Sequence, residues 1–110
     1  MADRMPKVDE LLRQQVAQII SSEIEFSPGT LVTVTKALTA VDLSCAKIFI
    51  SVLPEAQERQ VKKNLQKELY NIKKLLNKRI ILRKIPKLIF IIDETEKKAA
   101  QIDKLLDNLT

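Results

Sequence analysis

Four lysines, Lys63, Lys67, Lys74 and Lys78, recur at helical spacing in the middle of the chain. At about 100° per residue they fall within roughly 60° of one another, with Tyr70 beside them. Arg79, Arg83 and Lys84 continue the basic run. Such a stripe matches a line of phosphates, because replacing their condensed counterions with Lys and Arg is a main source of affinity for nucleic acids. Tyr70 offers either a ring on which a base can stack or an apolar surface for neighbouring lysine stems. For each lysine taken singly, ordinary solvation is the competing reading. The stripe does not stand alone: residues 56–87 hold eleven basic and two acidic side chains, a local balance of +9. The other residues hold eight basic and twelve acidic ones, a balance of −4, so the charge is concentrated in one segment of a chain of net charge +5. A basic segment on a mildly acidic body is the footprint of a nucleic-acid binder.

Other chemistry is excluded by residue type. There is no His, so Ser-His and Cys-His nucleophiles, His metal ligation and the usual general base near neutral pH are absent. The single cysteine, Cys45, rules out an internal disulfide and a cysteine zinc site, fits a reducing compartment, and has no sequence neighbour that would activate its thiolate. The single glycine, Gly29, rules out glycine-rich phosphate loops. Asp93, Glu94 and Glu96 have the residue types for Mg²⁺, but their place ahead of an apolar helical pattern reads as helix-start charge. No catalytic residue, cofactor, metal or small-molecule substrate is therefore expected.

The elements that must position the basic stripe can be read in order. The chain has 110 residues, 45% hydrophobic, 30% charged and only 4% aromatic, enough for one domain whose core is Ile, Leu and Val. Val8, Leu11, Leu12, Val16, Ile19, Ile20 and Ile24 mark one face of an amphipathic helix, with Pro6 in its first turn, Asp9 and Glu10 at its positive end, and Ser27-Pro28-Gly29 as its stop. Val32, Val34 and Leu38 alternate with Thr33, Thr35 and Thr39, and Ala46, Ile48, Ile50 and Val52 with Cys45, Lys47, Phe49 and Ser51. Joined across Val41-Asp42-Leu43-Ser44, these read as an antiparallel hairpin in which Lys36, on the apolar side, marks an edge or a bulge.

Pro54 opens a long helical pattern of Val61, Leu65, Leu69, Ile72 and Leu76. One straight helix over 56–78 would measure about 35 Å, long for a domain with an expected radius of gyration of ~13 Å. It would also aim Glu68 at the core, where an unpaired carboxylate is costly, so a break between Lys67 and Ile72 is expected. The chain is then extended at Ile81-Leu82, passes Pro86 and forms a strand from Leu88 to Ile92, which is apolar on both faces, as expected for one flanked or covered on both sides. Asp93 and Glu96 have capping-box spacing ahead of a short helix carrying Ile102, Leu105, Leu106 and Leu109. Residues 1–92 are read as the domain and 93–110 as a helical tail. The longest apolar run is too short to span a membrane, and Met1 to Ser22 carries Asp3, Asp9 and Glu10 with no apolar signal core, so a cytoplasmic location is expected.

Three stretches then resemble the ribosome-binding factor A family. They are the hairpin Val32-Thr33-Val34-Thr35 with Asp42-Leu43 and Ala46 to Leu53, the run Leu82-Arg83-Lys84-Ile85-Pro86-Lys87-Leu88-Ile89-Phe90 up to Asp93, and the tail Gln101 to Leu106. The resemblance implies an α+β, type II KH-like fold of order α-β-β-α-(kink)-α-β, with helices on one face of a three-stranded mixed sheet. It implies a non-enzymatic, monomeric factor that binds the free small (30S) ribosomal subunit or its precursor, assists 16S rRNA maturation near the 5′ end, and serves cold adaptation. A KH-like protein acting on non-ribosomal RNA, and a module for an acidic protein partner, are the competing readings. RNA contact is assigned to Lys63, Lys67, Tyr70, Lys74, Lys78, Arg79, Arg83 and Lys84. Two stretches depart from the family pattern: Glu68-Leu69-Tyr70 stands where the family carries Ala-x-Gly at its kink, and Ser27-Pro28-Gly29-Thr30 where it has Asp-Pro-Arg.

Overall fold

The computed structural model describes residues 5–109, without the side chains of Glu96, Asn108 and Leu109. The readings that involved Asp3 in the leader, Glu96 in a capping box and Leu109 on the last apolar face lie outside the described residues and side chains. Four helices and three strands follow in the order α1 (Pro6–Glu23), β1 (Leu31–Thr39), β2 (Cys45–Leu53), α2 (Glu58–Lys67), α3 (Leu69–Arg79), β3 (Lys87–Ile92) and α4 (Thr95–Leu109). A short 3-10 turn, Glu55–Gln57, leads into α2.

Helix α1 starts with Pro6 at its first positions and buries Leu12, Val16, Ile19 and Ile20. It ends at Glu23, short of the Ser27-Pro28-Gly29 stop read from the sequence, because Ile24 is already extended with its side chain buried. The turn itself is real: Gly29 has φ +82° and the Thr30 amide donates to the Ser27 carbonyl at 3.0 Å. Pro and a positive-φ Gly at the two central positions are the signature of a type II turn. Asp9 does more than face the helix dipole, since its Oδ1 accepts the Thr39 amide at 2.7 Å and so ties α1 to the far end of β1.

Strands β1 and β2 pair antiparallel, and β3 joins the other side of β2 in parallel, giving the mixed order β1-β2-β3. Ala46, Ile48, Ile50 and Val52 alternate into the core beneath α1, α2 and α3, together with Leu88 and Phe90. The register slips between Val34 and Lys36, so that Val34 opposes Ile50 and Lys36 opposes Phe49. This is the bulge that the misplaced lysine signals. Lys36 thereby leaves the core side and lays its ammonium over the Phe49 ring, 4.5 Å from the centroid. The expectation that β3 is flanked or covered on both sides does not hold. It is an edge strand whose Leu88 and Phe90 are buried, while Ile89 on the opposite face is exposed. An apolar run does not by itself say which of its two faces the helices reach.

The expected break falls at Glu68, between α2 and α3. Its φ of −90° and ψ of 4° lie in the bridge region, which is open to residues with a β-carbon, so no glycine is needed for this kink. The backbone ladder survives on both sides, with Glu68 N–H to the Asn64 carbonyl at 3.0 Å and Ile72 N–H to the Glu68 carbonyl at 2.9 Å. The break places the Glu68 side chain half in solvent, which removes the cost of sinking an unpaired carboxylate into the core. The two short helices pack differently: α2, through Val61 and Leu65, against β2 and β3, and α3, through Ile72 and Leu76, against α1.

Helix α4 runs for 15 residues and takes up most of the 93–110 tail, where the sequence suggested only a short helix. Asp93 organises its start. One carboxylate oxygen accepts the Thr95 amide at 2.9 Å and the other accepts the Thr35 hydroxyl at 2.6 Å. Lys97 then reaches Glu55 at 3.0 Å, Glu58 at 2.5 Å and Glu94 at 3.7 Å, fastening the helix to the start of α2. Beyond Lys97 every residue described through Asp107 is exposed, including Ile102, Leu105 and Leu106. The projecting helix accounts for a radius of gyration of 15.7 Å, above the ~13 Å of a compact chain of this size.

Candidate nucleic-acid interface

All eight residues singled out from the sequence are exposed. Among the described residues none of Lys63, Lys67, Lys74 and Lys78 is held in an ion pair, so their charges face solvent unspent. The break at Glu68 divides them, leaving Lys63 and Lys67 on α2 and Tyr70, Lys74 and Lys78 on α3. The single continuous stripe drawn on one helical wheel therefore becomes two short rows that meet at a kink.

The remaining cations go to separate places. Arg79, at the end of α3, turns toward α1, where its Nη1 lies 3.4 Å from Gln18 Oε1. There it lines a shallow hollow with Ala17, Gln18, Ser21 and Ser22. Lys84 lies by the hairpin turn. The Asp42 carboxyl accepts hydrogen bonds from Ser44 and faces the Lys84 ammonium, and together these hold it below the usual carboxylate range. Arg83 is exposed in the connection between α3 and β3.

One place gathers several groups. Tyr70, Lys73, Lys74 and Asn77 of α3 and Ile85 of the following connection line an open groove of about 460 Å³. On a helix the positions i, i+3, i+4 and i+7 share one face, which is why these four side chains form a row. Ile85 supplies an apolar wall because it packs against the core cluster from outside. Tyr70 is 83% exposed, so its ring is neither core nor covered by lysine stems. Lys73, Asn77 and Ile85 escaped the sequence reading. Lys73 and Asn77 were legible in the helical spacing from Tyr70, whereas Ile85 reaches the groove only through the path of the chain after α3.

Two of the acidic residues at the start of α4, Asp93 and Glu94, have partners within the protein. Asp93 is committed to Thr35 and Thr95, and these hydrogen bonds hold its carboxyl down at about 2. Glu94 lies beside Lys97, and among the described residues no cluster of acidic, cysteine or histidine side chains has the arrangement of a metal site. No helix among the described residues is long and apolar enough to cross a membrane.

The chain matches the family model described as ribosome-binding factor A over residues 4–106. A ribosome-binding factor A of Coxiella burnetii (strain Dugway 5J108-111) is 33% identical over 107 residues, covering 97% of this chain and 90% of the relative. One of Prosthecochloris aestuarii is 36% identical over 109 residues, covering 96% and 88%. The crystal structure of ribosome-binding factor A from Thermus thermophilus superposes with a TM-score of 0.69 at 20% identity, over 79% of this chain and 92% of that one. Coordinates of the Thermus thermophilus factor fitted into a cryo-EM map of a 30S complex give a TM-score of 0.67 at 21% identity, over 78% and 91%. The mixed sheet under helices and the order of elements are those of the KH-like fold of these structures. With the family model spanning nearly the whole chain and relatives above 30% identity aligned end to end, this chain belongs to the ribosome-binding factor A family.

Proposed function

We propose that this protein is a cytoplasmic, non-enzymatic assembly factor that binds the free 30S subunit or its precursor. In this reading it assists maturation of 16S rRNA near the 5′ end, a step that matters most in the cold, when misfolded RNA is slow to rearrange. It acts as a monomer, with residues 1–92 as the RNA-binding body and 93–110 as an appended helical tail. The observation that carries the reading is family membership over nearly the whole chain, in a family one of whose members has been placed in a 30S complex.

The surface chemistry supports the same reading. Residues 56–87 carry a balance of +9, and the lysines of α2 and α3 are unpaired among the described residues, all of them exposed but the half-buried Lys73. Lys63, Lys67, Lys74 and Lys78 are assigned to the RNA backbone, with Arg79, Arg83 and Lys84 as flanking contacts and Tyr70 at the centre. Phosphate contacts of this kind fix position and carry little sequence information. Recognition is thus mainly of RNA shape and backbone.

Gradient sedimentation tests the proposal. The protein is expected with free small subunits and their precursors, and depleted from large subunits and assembled ribosomes. Equal recovery with large subunits, or with none of the particles, refutes it. Migration with non-ribosomal RNA instead would favour a KH-like protein of a different target.

A further inference from the structure

Lys73, Lys74, Asn77, Tyr70 and Ile85 combine features that a phosphate track does not require. Backbone tracking needs cations alone, yet this groove pairs two cations with an exposed aromatic ring, an apolar wall and a carboxamide. No carboxylate lines it, so its charge complements an anion. Neither lysine is engaged in an ion pair among the described residues. A tyrosine left 83% exposed on a helix keeps a large apolar surface in water, and a nucleobase is the planar partner that covers such a ring without needing a particular sequence. The groove's volume of about 460 Å³ is that of a small-ligand site, open enough to admit one nucleotide still joined to its strand.

We propose that this groove takes one unpaired RNA base, stacked on the Tyr70 ring, with its phosphate on Lys73 and Lys74 and its edge at Asn77. Ile85 closes the apolar side, and the Asn77 amide can both donate to and accept from a base edge. The proposal rests on the RNA-binding reading above and narrows it. The α3 groove selects a single-stranded or splayed nucleotide, whereas the α2 lysines hold backbone of any conformation. Double-stranded RNA presents no free base face, so it engages the lysines and leaves Tyr70 uncovered.

The chain has one tyrosine and no tryptophan, so its intrinsic fluorescence reports Tyr70 alone. The full chain is titrated with a short oligouridine RNA, an abasic backbone oligomer of equal length and a duplex RNA. Oligouridine is expected to quench the emission saturably, and the other two probes to bind without quenching. Tyr70→Leu is expected to weaken oligouridine binding about tenfold, within the range found for base–aromatic stacking, and to leave duplex binding unchanged. Tyr70→Phe, which keeps the ring, restores the affinity, and Asn77→Ala lowers it for oligouridine but not for the abasic oligomer. Because Tyr70 and Asn77 are exposed, these variants keep the fold, which circular dichroism checks. Equal oligouridine affinity of Tyr70→Leu and the native chain overturns the base site while leaving phosphate-led binding in place. So does a Tyr70→Phe chain as weak as Tyr70→Leu. Binding of none of the three probes, with no sedimentation with any ribosomal particle, overturns both this inference and the function on which it rests.

Discussion

Replacing Lys63, Lys67, Lys74 and Lys78 together by Gln tests whether the α2–α3 surface carries RNA. The four side chains are exposed and free of ion pairs among the described residues, so the substitution removes charge without removing a structural contact. Each lost phosphate contact lowers the slope of log affinity against log salt by about 0.7–0.9. If all four lysines touch phosphate, the slope falls by about 3. Over a fourfold rise in salt the native chain then loses about 60-fold more affinity than the variant. The assay is equilibrium binding of RNA or of free small subunits across a salt series, with thermal melting run alongside. The melting temperature is expected to stay within the small range of surface substitutions. Splitting the variant locates the contact. Lys63 and Lys67 report on α2 and Lys74 and Lys78 on α3, and since the kink separates the rows the two halves need not contribute equally. An unchanged salt slope in the quadruple variant refutes the reasoning and moves the RNA to another face.

Further outcomes concern the frame that holds this surface. Asp93 titrates at about 2, below its ordinary 3.8, so the stability it confers is complete above pH 4 and is lost as pH falls through 2. Asp93→Asn should flatten the acid limb in that window by about 1 kcal/mol after allowance for solvent screening, and an acid melt identical to the native one would contradict this. Thr39, only 3% exposed, has a hydroxyl that makes no hydrogen bond among the described residues. Thr39→Val, which keeps the shape and the Asp9 clamp on the amide, is therefore expected to stabilise by about 1 kcal/mol in urea unfolding, and a loss of stability would show that the hydroxyl is satisfied. Lys97→Gln removes the ion pairs to Glu55, Glu58 and Glu94, so hydrogen exchange should quicken in α4 and not in α1 or the sheet. Unchanged α4 protection would mean that Asp93 alone holds the helix.

How much of this was legible in the sequence differs from element to element. The hairpin was, because period-two alternation over Val32–Thr39 and Ala46–Val52 has one solution, and even its defect was visible: a lysine on the apolar side marked an edge or a bulge, and β1 is an edge strand with a bulge at that place. The kink was legible for a reason that did not involve glycine. Val61 and Leu65 on one side and Ile72 and Leu76 on the other must all be buried, and Glu68 must not, which one straight rod cannot satisfy in a domain this small. The backbone there needs only φ −90°, so Tyr70 in place of the family's glycine leaves the kink intact. The two faces of β3 were not legible. Leu88, Ile89, Phe90, Ile91 and Ile92 form an unpatterned apolar run, and only the packing of helices on one side of the sheet decides that Ile89 stays in water.

The candidate site divides in the same way, and the kink is the cause. A wheel drawn through one continuous helix puts Lys63, Lys67, Lys74 and Lys78 in one stripe, because it assumes a constant 100° from end to end. At Glu68 that assumption fails, and the relation between the α2 pair and the α3 pair is set by what each helix packs against, the sheet for α2 and α1 for α3. Within α3 the spacing holds, so Tyr70, Lys73, Lys74 and Asn77 share a face as the sequence dictates. Arg79 and Lys84 leave the stripe for the same reason in reverse. The nearest polar partner of Arg79 is Gln18 on α1 and Lys84 lies by Asp42 at the hairpin turn, and neither neighbour is close in sequence. Charge composition therefore identifies the segment proposed to meet an anionic partner, while the break in the helix and the return of the chain through Ile85 decide which of its side chains stand together.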